Sequence, residues 1–596
     1  MGLKKNPSTL GSKIVLYFDD DSFQLHECYT SKGYLSNLEG IGYFGFPKDK
    51  KVSHVEVLWP DGKWSSIDQL AINTRIQIEH ASAQTVAPDK IQFPLTEKRT
   101  PKKYREVSSE YGIDYMHRES ELNDFAFQRL LLRSLSKNDP KIKVGDLNND
   151  GLEDFILSSS RGFSPELFIQ KESGQFVNSA LFSDENDLKF EVEDIALFDL
   201  EKDGDLDLYL VSGGQHQRKE RYLKDRLLVN DGQAQFSEIE LDLPTASNGS
   251  VVATVDYNGD GYQDLFVGAR NKPLQFPMSD KSVLIQNDQG VLKLDTKQPD
   301  SLFHDLGMVS DAKWVDIDGD QDQDLVVVGE FTPIQIFVNE AGSFQKVINP
   351  ELEQNKGLWR SIAVLDKDQD GDQDLILGNF GSNNRYNISP KTPMELFAVD
   401  VDQNGTVDPI LFTYQKDLEG SFKSYPLQFW KNLIQQSPYF RQKFNRFKSF
   451  SKATQEEFLK DEVFQGAEVL EVNQEHTVFV ENLGMGQFQV RPLEDKAQWG
   501  PVNSILIDST SIDHETQVLM VGNDLGGNPF EGNQDAFSGL LLTMAKEGFD
   551  YEEFPILGFE KLGHATDVKK IKVKGEELIL VAQNNGKLKA FKRKSP

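Results

Sequence analysis

The sequence predicts an all-β chain: a seven-bladed β-propeller with calcium loops and a partly helical insertion, preceded by a small β domain. Three observations carry this. An acidic nine-residue motif recurs six times. Strand-like runs flank each copy, and a second hairpin follows in the period.

The motif sets oxygen-bearing side chains at most alternate positions and closes on Asp at position 9. The first copy holds Asp146, Asn148, Asp150 and Asp154. The second holds Asp199, Glu201, Asp203, Asp205 and Asp207, and the third Asp256, Asn258, Asp260 and Asp264. The fourth holds Asp316, Asp318, Asp320, Asp322 and Asp324, and the fifth Asp366, Asp368, Asp370, Asp372 and Asp374. The sixth holds Asp400, Asp402, Asn404, Thr406 and Asp408. The first five begin 53, 57, 60 and 50 residues apart; the sixth follows after 34.

Runs rich in Val, Ile, Leu and aromatics lie on both sides, such as Ile195 to Phe198 and Leu208 to Val211. Such runs read as strands. The second hairpin turns on Asn-Asp-Gly at Asn230 or Glu-Ala-Gly at Glu340. Four strands per period make a propeller blade. Two further strand pairs lack the carboxylates: Val502 to Ile507 with Gln517 to Gly522, and Asp567 to Val573 with Glu577 to Ala582. That makes seven. Only Lys587 to Lys592 follows the last pair, so Tyr104 to Val107 is expected to supply the missing outer strand. Closure by both termini removes exposed sheet edges.

The sixth motif then falls in an insertion at about 393–465. From Phe429 to Lys460 the apolar spacing is helical, as at Tyr439, Phe440, Phe444 and Phe447. Lys431, Arg441, Lys443, Arg446 and Lys448 make the stretch basic. Two readings are open, a nucleic-acid contact or an amphipathic helix pair packed on the propeller. Residues 1–80 alternate as strands and form the small β domain; residues 81–103 are a linker; residues 104–596 are the propeller.

Composition narrows the function. Asp plus Glu number 95 against 64 Lys plus Arg, a net charge of −31. That excess disfavours nucleic acid and anionic membranes, which need a basic surface. The single cysteine, Cys28, excludes disulfides within the chain and all-Cys zinc sites. No apolar run reaches the length of a membrane helix, and Met1 to Leu10 shows no signal peptide.

Oxygen ligands at alternate positions wrap a hard cation, and calcium takes six to eight of them. Five or six calcium sites are expected. Position 6, where the chain turns sharply, is Gly151, Gly204, Gly261, Gly371 and Gly405; Gln321 departs. An EF-hand is excluded, because its position 12 is Glu. Here that position is Leu157, Leu210, Val267, Val327, Leu377 and Leu411. The alternative is a set of solvated acidic turns. Six filled sites would move the charge from −31 to about −19. No serine-hydrolase, zinc-protease or phosphate-loop motif is present. His117, Arg118, Glu119 and His564 could serve a site, but a structural or surface role is favoured.

The repeats resemble the FG-GAP/VCBS family, calcium-loop propellers related to the integrin α head. The stretch Gly33 to Ser36 with Val55 to Gly62 resembles the ASPIC/UnbV domain, found with such repeats in cartilage acidic proteins. Gly378 to Tyr386 and the helical insert resemble a bacterial subgroup of large cell-surface proteins. That resemblance implies the C-terminal half of a longer exported protein, or a split gene. It also implies an extracellular, outer-membrane-associated location, beside TonB-dependent nutrient importers and their substrate-binding lipoproteins.

Three function classes remain. The favoured one is a non-catalytic, calcium-binding recognition module in such a complex. Its candidate contact surface is Asn383, Asn384, Arg385 and Tyr386 with Phe429 and Trp430. The others are a calcium-dependent carbohydrate or matrix adhesin and a polysaccharide-active enzyme. Exposed aromatics would favour the adhesin, and a deep carboxylate pair away from calcium the enzyme.

Overall fold

The computed structural model describes residues 9–594 apart from 21, 32, 38–39, 49, 69, 86–101, 244–245, 418, 510–515, 546–547 and 560–561. The chain divides into two compact units, 1–101 and 102–596. The linker expected at 81–103 falls mostly outside the described residues.

The smaller unit holds one antiparallel sheet, ordered Phe23–Glu27, Lys13–Phe18, Val52–Leu58, Trp64–Asp68. Val55 and Val57 are buried and alternate with more exposed neighbours, the pattern of a sheet covered on one face. Leu16, Phe18 and Val55 pack with Phe44, Phe46 and Ile67 beneath it.

In the larger unit seven antiparallel sheets follow one another, six of four strands and one, the fourth, with the short Gly357–Leu358 added to its four. We number them as blades 1 to 7, with first strands Ile142–Gly145, Glu191–Phe198, Gly249–Val255, Met308–Val315, Ser361–Leu365, Val502–Asp508 and His564–Val573. Each first strand packs against the next, and the seventh against the first, so the ring closes. The molecule is a β-propeller. Second strands such as Asp207–Gly213 and Asp324–Thr332 are buried on both faces, which is why they read as unbroken apolar runs. Blades stack through shared clusters: Phe198, Tyr209 and Val211 of blade 2 meet Val252, Leu265 and Val267 of blade 3. Blade 7 takes its outer strand from Tyr104–Glu106, paired with Lys589–Arg593.

The insertion sits between the second and third strands of blade 5. It is a sheet of its own, ordered Phe422–Pro426, Asp408–Lys416, Met394–Val399, Glu468–Val472. Four short helices stand where the periodicity predicts a pair: Trp430–Gln436, Pro438–Lys443, Phe447–Phe450 and Gln455–Phe458. Two caps restart the helix. The Ser437 side chain accepts from the Tyr439 amide ahead of Pro438, and Thr454 forms a capping box with Glu457. The helices bury Leu433, Phe440, Phe444, Phe450 and Phe458 against Ile410 and Phe412, so they pack on the inserted sheet. A second apolar cluster of the inserted sheet, Met394, Leu396 and Leu411, packs on Leu131, Phe331, Leu358 and Phe380 and closes one end of the ring.

Candidate metal centres

The acidic motifs occupy the turns between first and second strands, five in blades 1 to 5 and the sixth in the inserted sheet. All six share one backbone path. Position 4 is left-handed in each, with φ from +56° to +80° at Asn149, Lys202, Gly259, Gly319, Gln369 and Gln403. Position 6 is left-handed too, from +79° to +100°. Gln321 adopts this conformation at +79° without the freedom glycine has there.

Two carboxylates organise each turn. The position-6 amide donates to the position-1 carboxylate in all six, for example Gly151 to Asp146 Oδ2 at 2.7 Å and Gln321 to Asp316 Oδ2 at 3.0 Å. The position-9 carboxylate is buried and joins turn to sheet. Asp324 Oδ2 accepts from the Ile317 amide at 2.8 Å and Oδ1 from the third-strand amide of Asn339 at 2.7 Å. Asp154, Asp207 and Asp374 repeat this pair. In the inserted sheet the second donor is the Gln436 side chain, reaching Asp408 Oδ1 at 2.8 Å.

A further residue was present in the sequence but read only as part of a turn. Asn230, Asn287, Asn339 and Asn482 stand last or next to last in the third strands of blades 2 to 5. Each Nδ2 donates to the position-2 carbonyl of the preceding blade's loop: Leu147, Leu200, Tyr257 and Ile317, at 2.8–2.9 Å. Its signal is that Asn recurs at this place in four blades.

Three loops bring three carboxylates together, with one ligand atom of each within 4.8 Å of the others: Asp316, Asp318 and Asp324; Asp366, Asp368 and Asp370; Asp400, Asp402 and Asp408. Asp205 Oδ1, Asp366 Oδ1 and Asp402 Oδ1 are buried without a hydrogen-bond donor. Burial, then neighbouring carboxylates, pushes Glu201 up to about 7 and Asp205 up to about 6. Burial likewise raises Asp154, Asp324, Asp374 and Asp408 to about 6 and Asp264 to about 7. An all-oxygen donor set with orphaned carboxylate oxygens fits a hard cation.

The six residues of the candidate contact surface separate. Asn383 and Asn384 donate to Trp499 O and Glu475 Oε2 at 3.1 and 2.9 Å. Arg385 Nε donates to Glu531 Oε2 at 2.9 Å. Tyr386 is 2% exposed beneath the inserted sheet, so it packs inside the molecule and cannot face a partner. Trp430 Nε1 donates to Phe444 O at 2.9 Å within the helical cluster. Phe429 alone of the aromatics is exposed, at 40%, and it meets Phe530, 48% exposed, with ring centroids 4.4 Å apart. His117 is buried against Asp139, Nε2 to Oδ2 3.0 Å.

Comparison with known proteins agrees with this architecture. The ASPIC and UnbV family matches residues 2–85. The FG-GAP-like repeat matches 146–210, 199–267 and 316–377. The chain is a β-propeller protein; it carries an ASPIC/UnbV domain followed by FG-GAP-like repeats. Human cartilage acidic protein 1 is 43% identical over 56 residues, 9% of this chain and 8% of that protein. The Xenopus tropicalis protein is 36% identical over 72 residues, 12% and 11% of the two chains. The chain thus spans only about a tenth of the length of the curated relatives it matches. Among solved structures, an Agrocybe aegerita lectin recognising non-reducing terminal N-acetylglucosamine is 15% identical, with TM-score 0.29 over 61% of this chain and 82% of its own. The Dos1 propeller is 8% identical, with TM-score 0.33 over 79% and 97%. Neither likeness is close enough to carry an argument.

Proposed function

We propose that this chain is a calcium-stabilised, non-catalytic recognition module of a bacterial cell surface. Its loops take calcium, and its partner is an outer-membrane TonB-dependent nutrient importer with its substrate-binding lipoprotein. The observation that carries the calcium reading is the shared turn: six loops with one backbone path, three of them holding a buried carboxylate oxygen that no donor meets. A closed ring of blades supplies a rigid platform, and function on such platforms sits in the loops. The importer and the surface location rest on the resemblance of the repeats and the insertion. The contact surface is the exposed Phe429–Phe530 pair, with Arg385 5.6 Å from the Phe429 ring.

The test is capture of solubilised outer-membrane proteins on the immobilised chain, in calcium and then in chelator. Calcium-dependent recovery of one importer complex, lost in Phe429→Ala, supports the reading. Recovery of no importer sinks it, and glycan binding and hydrolysis assays then separate the adhesin from the enzyme.

A further inference from the structure

The metal loops stand at one end of the first strands. The other end, under the inserted sheet, holds a buried charge cluster that the loops do not use. In blades 2, 3, 4, 6 and 7 the first strand carries a bulge there, at Glu193, Ser250, Ser310, Asn503 and Thr566. A bulge re-aims a side chain. These five line one axial cavity of about 40 Å³, together with Lys141, Arg133, Arg270, Arg360 and His564. That volume has room for about three water-sized groups. Four of the bulge side chains also bond blade to blade: Ser250 to Val309 O, Ser310 to Trp359 O, Asn503 to Ala565 O and Thr566 to Pro140 O, at 2.7–2.9 Å.

In a chain of net charge −31, this spot gathers cations. Arg133, Arg270, Arg360 and Lys141 face Glu193, Glu330 and Asp524. Burial pushes Glu193 up to about 7, which weakens the negative side further. Arg133 takes the close contacts: it pairs with Glu330 and donates to Ser134 O and Asn138 Oδ1 at 3.0 and 3.2 Å. Arg360 takes none. Its side chain is 8% exposed, and its ion pairs are long, Nη1 to Glu330 Oε1 3.7 Å and Nη2 to Asp524 Oδ2 3.6 Å. Arg360 Nε and Nη2 have no hydrogen-bond acceptor. Those two N–H groups form the guanidinium edge that grips planar or tetrahedral oxyanions in a bidentate way. Burial and the nearby Arg133 guanidinium lower Arg360 to about 10 against the pull of Glu330 and Asp524.

The same place leaves an acceptor unmet. Asp524 Oδ1 takes the Gly526 amide at 2.7 Å, while Oδ2 has no donor. His564 Nδ1 is also unpartnered, on an imidazole that burial keeps neutral. A plain oxyanion would meet Arg360 but repel Asp524. An oxyanion that keeps a hydroxyl satisfies both. The lid end of the axis is apolar, closed by Leu131, Phe331, Leu358 and Phe380. Toward the metal loops Lys143, Lys313 and Lys569 follow on the first strands and stay 26%, 43% and 37% exposed. Each of these lysines is paired with a first-strand carboxylate, Asp194, Asp311 or Asp567, so the approach is a ring of ion pairs.

We propose that this axial cavity binds a small hydroxyl-bearing oxyanion of the hydrogen phosphate or bicarbonate class, gripped by the Nε–Nη2 edge of Arg360 and donating its hydroxyl to Asp524. The site stands apart from the loops and does not depend on their metal.

Calorimetric titration of the full chain, calcium-loaded and freed of excess ion, tests this. Sodium phosphate, bicarbonate and sulfate are compared at ionic strength matched with chloride. Phosphate or bicarbonate is expected to bind saturably with one equivalent, and whichever binds tighter identifies the source. Sulfate, with no proton for Asp524, is expected to bind at least about tenfold more weakly. Arg360→Gln is expected to weaken the favoured ion about tenfold or more, with its melt in calcium reporting folding. Asp524→Asn is expected to narrow the gap to sulfate. If Arg360→Gln does not fold, the wild-type ratio alone decides. No saturable binding of phosphate or bicarbonate overturns the proposal, and so does sulfate binding as tightly.

Discussion

Blade 4 and blade 7 make the same hairpin in opposite ways. In blade 4 the eight-residue loop Asp316 to Gln323 joins the first two strands, and Val315 pairs with Asp324. In blade 7 Lys574 and Gly575 alone do so, with φ of +52° and +76°, and Val573 pairs directly with Glu576. A two-residue turn of this kind matches strand twist. Strand pairing therefore does not need the acidic loop. What the loop adds is a crowd of carboxylates, repulsive when bare and cohesive around a cation. Blades 1 to 5 should feel the ion and blade 7 should not.

Chelation gives the largest test. A site at 100 times its Kd contributes about 2.7 kcal/mol. With several sites, a chelator is expected to lower Tm by roughly 10 °C. Hydrogen exchange should show the loss first at second strands of blades 2 to 5, and last at Leu578 to Val581 of blade 7. Uniform loss would break the comparison.

pH comes next. The position-9 carboxylates Asp154, Asp324, Asp374 and Asp408 sit near 6 in the metal-free fold, above the 3.8 of an exposed Asp. A raised acid holds protons more tightly folded than unfolded. Its contribution is complete below about 3.8 and is lost as pH rises through about 6. In chelator, Tm should fall between pH 4 and 7; in calcium that slope should flatten. Equal slopes would remove the ion from the account.

Single substitutions separate fold from metal. Asp324→Ala strands two buried amides, Ile317 and Asn339, and is expected to cost about 2–4 kcal/mol without calcium and more with it, since it also removes a ligand oxygen. Asp318→Ala, at an exposed position of the same cluster, should cost stability only when calcium is present. Asn339→Ala removes the bond to Tyr257 O and is expected to cost about 1–3 kcal/mol, read by chemical denaturation, independent of calcium. The smallest effect is at Gln321. Glycine relieves a left-handed position, so Gln321→Gly should stabilise by up to about 1 kcal/mol. A loss there would mean that the side chain holds the loop.

Repetition made much of this legible. Six loops at shared spacing marked the turns, and the unpaired strand Lys587 to Lys592 pointed to Tyr104 as its neighbour. Position 4 escaped notice because Asn, Lys, Gly and Gln share no composition there, only a φ. The inter-blade Asn bonds were hidden because Asn two or three residues ahead of a Gly already has a reason to be present in a turn. Tyr386 looked like a contact residue because an Asn-Asn-Arg-Tyr run reads as a polar loop; its burial depends on the inserted sheet that covers it. The axial cluster has no local pattern. Its members come from nine separate strands and loops, and only ring closure brings them together.

That closure also sets a clock. Tyr104 pairs with Arg593, so the strand that seals blade 7 is made well before its partner. At roughly 5–20 residues per second, synthesis of the intervening stretch takes roughly half a minute to a minute and a half. A chain paused before Lys589 carries every acidic loop and no sealed ring. The acidic loops are thus all made before the circle shuts, and the strand Tyr104–Glu106 must stay free until Lys589–Arg593 reaches it.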